Sequence, residues 1–297
     1  MKKNIYTKNF NLSNYTTIKV GGVTEYFAEP SNLKEFTNLI KWSHINNQTC
    51  RIIGAGSNLL INNIFLKGLI ICTKKMRSVT IDLNSGIVEA ESGLMLPTLS
   101  NLLAKNGLQG GEWAVGIPGT LGGAIFMNAG SGNFSLADNL ISLKVINTKT
   151  LKTFEIEKKD IEFQYRFSTF QHNDLVIISA KLRFEPKGNI EKLIQTTKNN
   201  LKLKTETQPY HLPSFGSVFK NPENNYAAKL IDDIGLKGFK IGGAEISTMH
   251  ANFIVNTSSA SSKDIFDLIT LIQQKVLQKK GIHLQTEVRM IGFDYPN

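Results

Sequence analysis

The chain has 297 residues, 41% of them hydrophobic and 20% charged, with a formal net charge of +10. That is a globular composition with room for two or three domains and a sizeable core. No apolar stretch is long enough to span a bilayer, and Cys50 and Cys72, neither in a C-x-x-C pair, speak against a thiolate metal site and fit a reducing compartment.

The basic start, MKKNIYTKNFNLSNYT, has no apolar run behind it, so neither a signal peptide nor an anchor is expected, and the expected location is the cytoplasm. Ile18–Glu29 reads as a strand or hairpin broken by Gly21-Gly22. Asn32–Asn46 has apolar residues at helical spacing behind Pro30-Ser31, and Cys50–Ile53 is a short buried strand. Gly68–Cys72, Ser78–Asp82 and Ile87–Glu91 read as strands, and Pro97–Asn106 reads as a helix stopped by Gly107. Leu140–Asn147 and Leu151–Ile156 flank a Thr-Lys-Thr turn, and Leu175–Phe184 is a further strand. Glu185-Pro186-Lys187-Gly188 punctuates the chain and predicts a domain boundary. Beyond it come helices over Asn189–Thr205, Tyr226–Ile234 and Ser262–Lys280, a strand at Phe253–Asn256, and a last strand over Ile282–Ile291. The dispersed lysines favour anionic partners, with phosphorylated small molecules preferred over nucleic acid.

Gly107–Gly130 has eight glycines and one proline, yet holds Trp113, Val115, Ile117, Leu121, Ile125, Phe126 and Met127. A tightly turned, buried segment leading into a helix start fits this, and N–H groups at such a start suit a phosphate. Close helix packing through small residues fits it as well. A second glycine turn, Gly54-Ala55-Gly56-Ser57, follows directly on a strand. It lacks the third glycine of a dinucleotide fingerprint, having Leu59 there, which disfavours a classical Rossmann fold.

Six segments now stand in order: GAGSNLL (54–60), GIPGTLGGA (116–124), YRFSTF (165–170), PSFGSVFKNP (213–222), GLKGFKIGGAEISTMHANFIVN (235–256) and TEVRMIG (286–292). Together they resemble the UDP-N-acetylenolpyruvoylglucosamine reductase family over nearly the whole chain, in its shorter class without a tyrosine-bearing lid insertion. The resemblance implies an α+β fold. A two-part FAD-binding domain of the vanillyl-alcohol-oxidase (PCMH) type (1–75 and 76–186) is followed by a C-terminal α/β substrate-binding domain (187–297). It implies noncovalent FAD, NADPH as co-substrate, the enolpyruvyl ether of UDP-N-acetylglucosamine as substrate, and a place in peptidoglycan precursor synthesis. No metal, nucleic-acid or membrane partner is expected, and the expected state is a monomer. The chain departs from relatives at Asn62-Asn63, where an aspartate is common, and in AGSGNFSLAD (129–138).

The resemblance assigns the FAD diphosphate to Gly54, Ala55, Gly56, Ser57, Asn58, Leu59, Gly116, Ile117, Pro118, Gly119, Gly122, Gly123 and Asn128. It makes Arg166 the partner of the substrate carboxylate, a role suited to a permanently charged, forked guanidinium. Ser217 becomes the proton donor and Glu287 the carboxyl group beside the developing enolate, with Tyr165, Asn221 and His250 as substrate contacts. By local pattern alone these residues have plainer readings. Arg166 reads as an exposed strand arginine, Ser217 as a turn serine, Glu287 as a solvated-face glutamate beside Arg289, and His250 as a structural histidine. A flavin oxidase of the same fold explains the glycine turns but not YRFSTF and GSVFKNP together. A basic binding module explains only the charge.

Overall fold

The structure, a computed structural model, describes residues 5–293. The chain runs β1 (Thr7–Asn11), β2 (Val23–Ala28), α1 (Leu33–Ile45), β3 (Cys50–Ile53), β4 (Leu59–Ile61) and β5 (Leu66–Cys72). Next come β6 (Val79–Asp82), β7 (Ile87–Glu91), α2 (Leu96–Lys105), a 3-10 turn (Glu112–Gly116) and α3 (Leu121–Phe126). They are followed by β8 (Gly130–Ser131), β9 (Phe134–Ser135), α4 (Leu136–Asn139), β10 (Leu140–Asn147), β11 (Thr153–Glu157), β12 (Phe163–Gln164), β13 (Phe167–Ser168) and β14 (Leu175–Arg183). The remainder is α5 (Ile190–Thr207), β15 (Ser214–Ser217), α6 (Ala227–Asp233), β16 (Lys240–Ile241), β17 (Ala244–Ile246), β18 (Phe253–Asn256), α7 (Ser262–Lys280) and β19 (Arg289–Ile291).

The chain divides into two compact units. The first takes residues up to Lys8, Tyr26–Ala55 and Lys67–Lys202; the second takes Asn9–Glu25, Gly56–Leu66 and Leu203 onward. The punctuation at 185–188 is bonded back onto the first unit, with Gln109 N–H donating to Glu185 O (2.8 Å) and Gly188 N–H to Gly107 O (2.8 Å). The division by contacts falls later, inside α5.

In the first unit an antiparallel sheet of order β11-β10-β14-β7-β6 presents Leu143, Val145, Ala180, Leu182, Val88 and Ala90 to α2 and α3 on one face. Ile146 and Ile178 join a second core with Leu69 and Ile71 of β5 and Phe36, Leu39 and Ile40 of α1. Strand alternation turns Ile146 away from Leu143 and Val145, and the register shift between Lys144↔Ser179 and Val145↔Ile177 turns Ile178 away from Ala180 and Leu182, so one sheet serves two cores. Helix α1 starts where Asn32 Oδ1 accepts Glu35 N–H (2.9 Å), closing one orphan donor of the first turn.

In the second unit, strands ordered β15-β18-β17-β16 are all antiparallel, and α7 lays Ile265, Leu268, Ile269, Ile272 and Val276 into the core. A Ser261/Asp264 capping box starts α7, and Gly281 ends it. The parallel pair β4–β19, Leu59–Ile61 against Arg289–Ile291, brings the segment after the 54–58 turn beside the chain's last strand. That last strand is three residues rather than the ten predicted. Residues 282–288 keep the alternation of buried Leu284 and Val288 but run along residues 218–220 through single bonds rather than a continuous ladder. No helix among the described residues is long and apolar enough to cross a membrane.

Candidate active site

Gly54 and Gly56 are required by close approach. In the first unit a Cβ on Gly54 would overlap the Thr120 hydroxyl, so the 54 turn and the 116–123 turn lie against each other. In the second unit Gly56 has φ +67, and a Cβ there would run into the Tyr15 carbonyl. The N–H groups at the start of α3 are engaged inside the protein, where the sequence reading leaves them exposed. Leu121 N–H donates to Leu94 O (2.8 Å), Gly122 N–H to Ser92 O (2.8 Å) and Gly123 N–H to the Thr120 hydroxyl (3.4 Å). Ile117 and Gly119 N–H are taken by Ala114 O and Ile117 O, while Pro118 is exposed and has no N–H. In the other turn, the N–H groups of Ala55, Gly56 and Ser57 find no acceptor among the described residues. Consecutive unpaired amides around a positive-φ glycine form the kind of nest that accepts a phosphate oxygen. This donor set fits a dinucleotide diphosphate.

Tyr165 and Arg166 form the two-residue turn of the β12–β13 hairpin, with Gln164 facing Phe167. Arg166 sits at φ +57, a conformation ordinarily left to glycine or asparagine at that turn position. Its guanidinium lies 5.0 Å from the centre of the Tyr165 ring. The turn is fastened to the end of α3. Ser168 Oγ donates to Phe126 O (2.7 Å), and Gln171 Nε2 donates to Phe126 O (3.0 Å) and to Arg166 O (3.2 Å). Asn128, buried and at φ +43, donates from Nδ2 to Gln164 O (3.0 Å) and accepts Ala137 N–H at Oδ1 (3.4 Å). Its side chain is thus part of the support of the arginine turn. A nonglycine residue held in a sparsely populated region by several outside bonds is the pattern found at functional sites.

In the second unit Ser217 closes β15, paired with Phe253, directly after Gly216. Glu287 N–H donates to Val218 O (2.8 Å), so the serine segment and the glutamate segment lie edge to edge. Both are splinted by asparagines. Asn252, 3% exposed, accepts Phe219 N–H at Oδ1 (3.0 Å) and donates from Nδ2 to Phe219 O (2.9 Å), while its own carbonyl takes Val218 N–H (2.9 Å). Asn58 donates from Nδ2 to Glu287 O (3.0 Å), and its carbonyl accepts Arg289 N–H (3.0 Å). Leu59 begins the ladder with Arg289.

Asn221 is exposed, and its Oδ1 accepts Ala227 N–H (3.1 Å) at the start of α6. His250 is half-buried and edge-on to Phe253 with ring centres 4.8 Å apart. Burial lowers its pKa below the usual range; a hydrogen bond to its own backbone partly offsets this, and the Lys237 and Lys204 charges add to the lowering. The sequence reading passed over Asn252, Ser168 and Gln171. The one signal it offered for Asn252 is a polar residue interrupting the apolar run Ala251–Val255.

The structure therefore groups the predicted residues as two sets. Gly54, Gly116–Gly123, Asn128, Tyr165 and Arg166 stand in the first unit; Asn58, Ser217, Asn221, His250 and Glu287 stand in the second. A hollow of roughly 340 Å3 on the first unit, lined by Lys144, Glu155, Ser179 and Lys181 among others, contains none of them. It opens on the sheet face turned away from α3.

The C-terminal domain of UDP-N-acetylenolpyruvoylglucosamine reductase matches residues 208–291, and an FAD binding domain matches residues 24–151. A UDP-N-acetylenolpyruvoylglucosamine reductase of Prochlorococcus marinus subsp. pastoris is 75% identical over 296 residues, covering 100% of both chains. One from Prochlorococcus marinus strain MIT 9313 is 48% identical, covering 96% of this chain and 92% of its own. The crystal structure of the Thermus caldophilus reductase superposes with a TM-score of 0.79 at 29% identity, covering 95% of this chain and 97% of that one. The chain belongs to the UDP-N-acetylenolpyruvoylglucosamine reductase family, as a flavin-binding oxidoreductase with an FAD-binding domain and the family's C-terminal domain.

Proposed function

We propose that this protein reduces the enolpyruvyl ether of UDP-N-acetylglucosamine to UDP-N-acetylmuramate at the expense of NADPH, in the cytoplasm and as a monomer. Residues 1–186 serve the cofactor, in parts 1–75 and 76–186, and residues 187–297 serve the sugar nucleotide. The observation that carries the reading is the bond from Glu287 N–H to Val218 O, which sets the family's serine and glutamate segments side by side.

Bound FAD supplies hydride transfer from NADPH to the terminal vinyl carbon. The chain's own residues manage the charge that follows. The electron pair of the alkene moves to the α-carbon and spreads into the adjacent carboxylate. Arg166 binds that carboxylate through two parallel N–H bonds. Ser217 Oγ gives its proton to the α-carbon, a step that only a strongly basic carbon close by can draw from a hydroxyl. Glu287 is the carboxyl group beside the enolate, protonated or hydrogen-bonded so that it does not oppose the developing charge. The amides of Ala55, Gly56 and Ser57 hold the diphosphate of the cofactor, with Gly54 and Gly116–Gly123 shaping the approach.

The test separates the half-reactions. The protein carrying FAD is expected to lose its yellow colour on anaerobic mixing with NADPH and to regain it on adding the enolpyruvyl sugar nucleotide. Reoxidation by oxygen at the same rate with no sugar nucleotide product sinks the reading and favours a flavin oxidase.

A further inference from the structure

We infer that Asn58 is a positioning residue for Glu287, acting through the peptide groups that follow it rather than on the cofactor. The inference rests on the proposed role of Glu287. Asn58 stands in the glycine turn assigned above to the diphosphate, yet its side-chain amide is directed to the Glu287 carbonyl (3.0 Å) and its own carbonyl to Arg289 N–H (3.0 Å). The two bonds bracket Val288, directly after Glu287. The backbone ladder of β4 and β19 begins only at Leu59 and Arg289. Just before that point the Asn58 side chain donates to the Glu287 carbonyl. On its amide side Glu287 is held by Val218, whose own N–H bonds Asn252 O. The glutamate backbone is thereby fixed between residue 58 and the residue following Ser217. Removing the Asn58 amide takes away the bond to the Glu287 carbonyl, while the Glu287 N–H bond to Val218 O and the Arg289 N–H bond to the residue 58 carbonyl persist, and the glutamate shifts relative to the serine segment. A misplacement of this kind costs rate in the step where the carboxyl group acts, and leaves untouched a step in which it takes no part.

The experiment uses the FAD-loaded protein and four forms: wild type, Asn58→Ala, Glu287→Gln and the double variant. Asn58→Ala is expected to keep flavin reduction by NADPH within about twofold and to slow reoxidation by the enolpyruvyl sugar nucleotide about tenfold, the scale of one lost hydrogen bond. KM for that substrate should change less than the rate. The double variant should be no slower than Glu287→Gln alone, because a residue that acts through another has nothing left to position. In the flavin-free protein, amide exchange at Arg289 should quicken in Asn58→Ala while exchange in the β18 core stays unchanged. Additive losses, or a loss concentrated in flavin affinity or in the NADPH step, overturn the inference and return Asn58 to the cofactor. If Glu287→Gln alone turns over normally, the proposed role of Glu287 fails instead. Should Asn58→Ala not fold, Asn58→Ser, which retains the backbone bond and a short donor, takes its place in the same cycle with the same outcomes.

Discussion

Ser217, Arg166 and Gly56 each make a demand that a single substitution can probe. Ser217→Ala removes the proposed proton donor without touching the glycine turn at 54–57. We expect NADPH to reduce the flavin at near wild-type rate and the second half-reaction to fall about a hundredfold or more. Equal slowing of both halves, measured by stopped flow, sinks the assignment. Arg166→Lys keeps the charge and the strained turn but loses the fork, so the second half-reaction should drop at least about tenfold with the melting temperature little changed. An unaltered second half-reaction removes Arg166 from the chemistry. Gly56→Ala meets both a positive φ and the Tyr15 carbonyl. It should lower stability by roughly 2 kcal/mol or more and weaken flavin retention, both readable from a thermal melt with and without FAD.

At the scale of elements, the site is built from short pieces that do not hold themselves. The β12–β13 hairpin has two residue pairs and is fixed by Ser168, Gln171 and Asn128 to the end of α3. Strand β15 gives way after Ser217 to a segment whose partner is a side chain, Asn252, bonding both polar groups of the Phe219 peptide. Asn252→Ala leaves a buried N–H and C=O without that partner, so a loss of about 2–4 kcal/mol is expected in denaturant unfolding. An unchanged midpoint contradicts the splint. Helices α1 and α7 are legible in the sequence because both carry a cap, an apolar stripe and a terminal signal. The ten-residue final strand was overread: alternation of Leu284, Thr286, Val288 and Met290 records which side is buried, and says nothing about whether a neighbouring strand continues alongside.

For the molecule as a whole, pH dependence offers a check on the packing of the two cores. Burial raises the Cys50 and Cys72 thiols from 9.0 to about 11. The unfolded chain therefore releases these protons before the folded one does. It binds fewer protons between about pH 9 and 11, so stability declines as pH rises through that window and is complete below it. Replacing both cysteines by alanine should flatten this alkaline slope. His250 works in the other direction: burial keeps it neutral when folded, so its contribution is present above 6.5 and is lost as pH falls through its lowered folded value. His250→Gln should shallow the acid limb of the stability profile, and an unchanged limb places the titration elsewhere.

The sequence by itself determined the mixed helix and strand content, the principal helices, the glycine turns and the family, since each rests on periodicity, punctuation or motifs that are local along the chain. Ser217, Arg166 and Glu287 were legible as candidates on the same footing. The tertiary structure alone decided that residues 9–25 and 56–66 belong with the C-terminal unit, that the α3 amides are closed by Leu94, Ser92 and Thr120, and that Asn58 and Asn252 hold the glutamate and serine segments. Hydrogen-bond partners up to 238 residues away leave no periodic trace, because a donor and its acceptor need only meet in space, and composition near either one does not record the other.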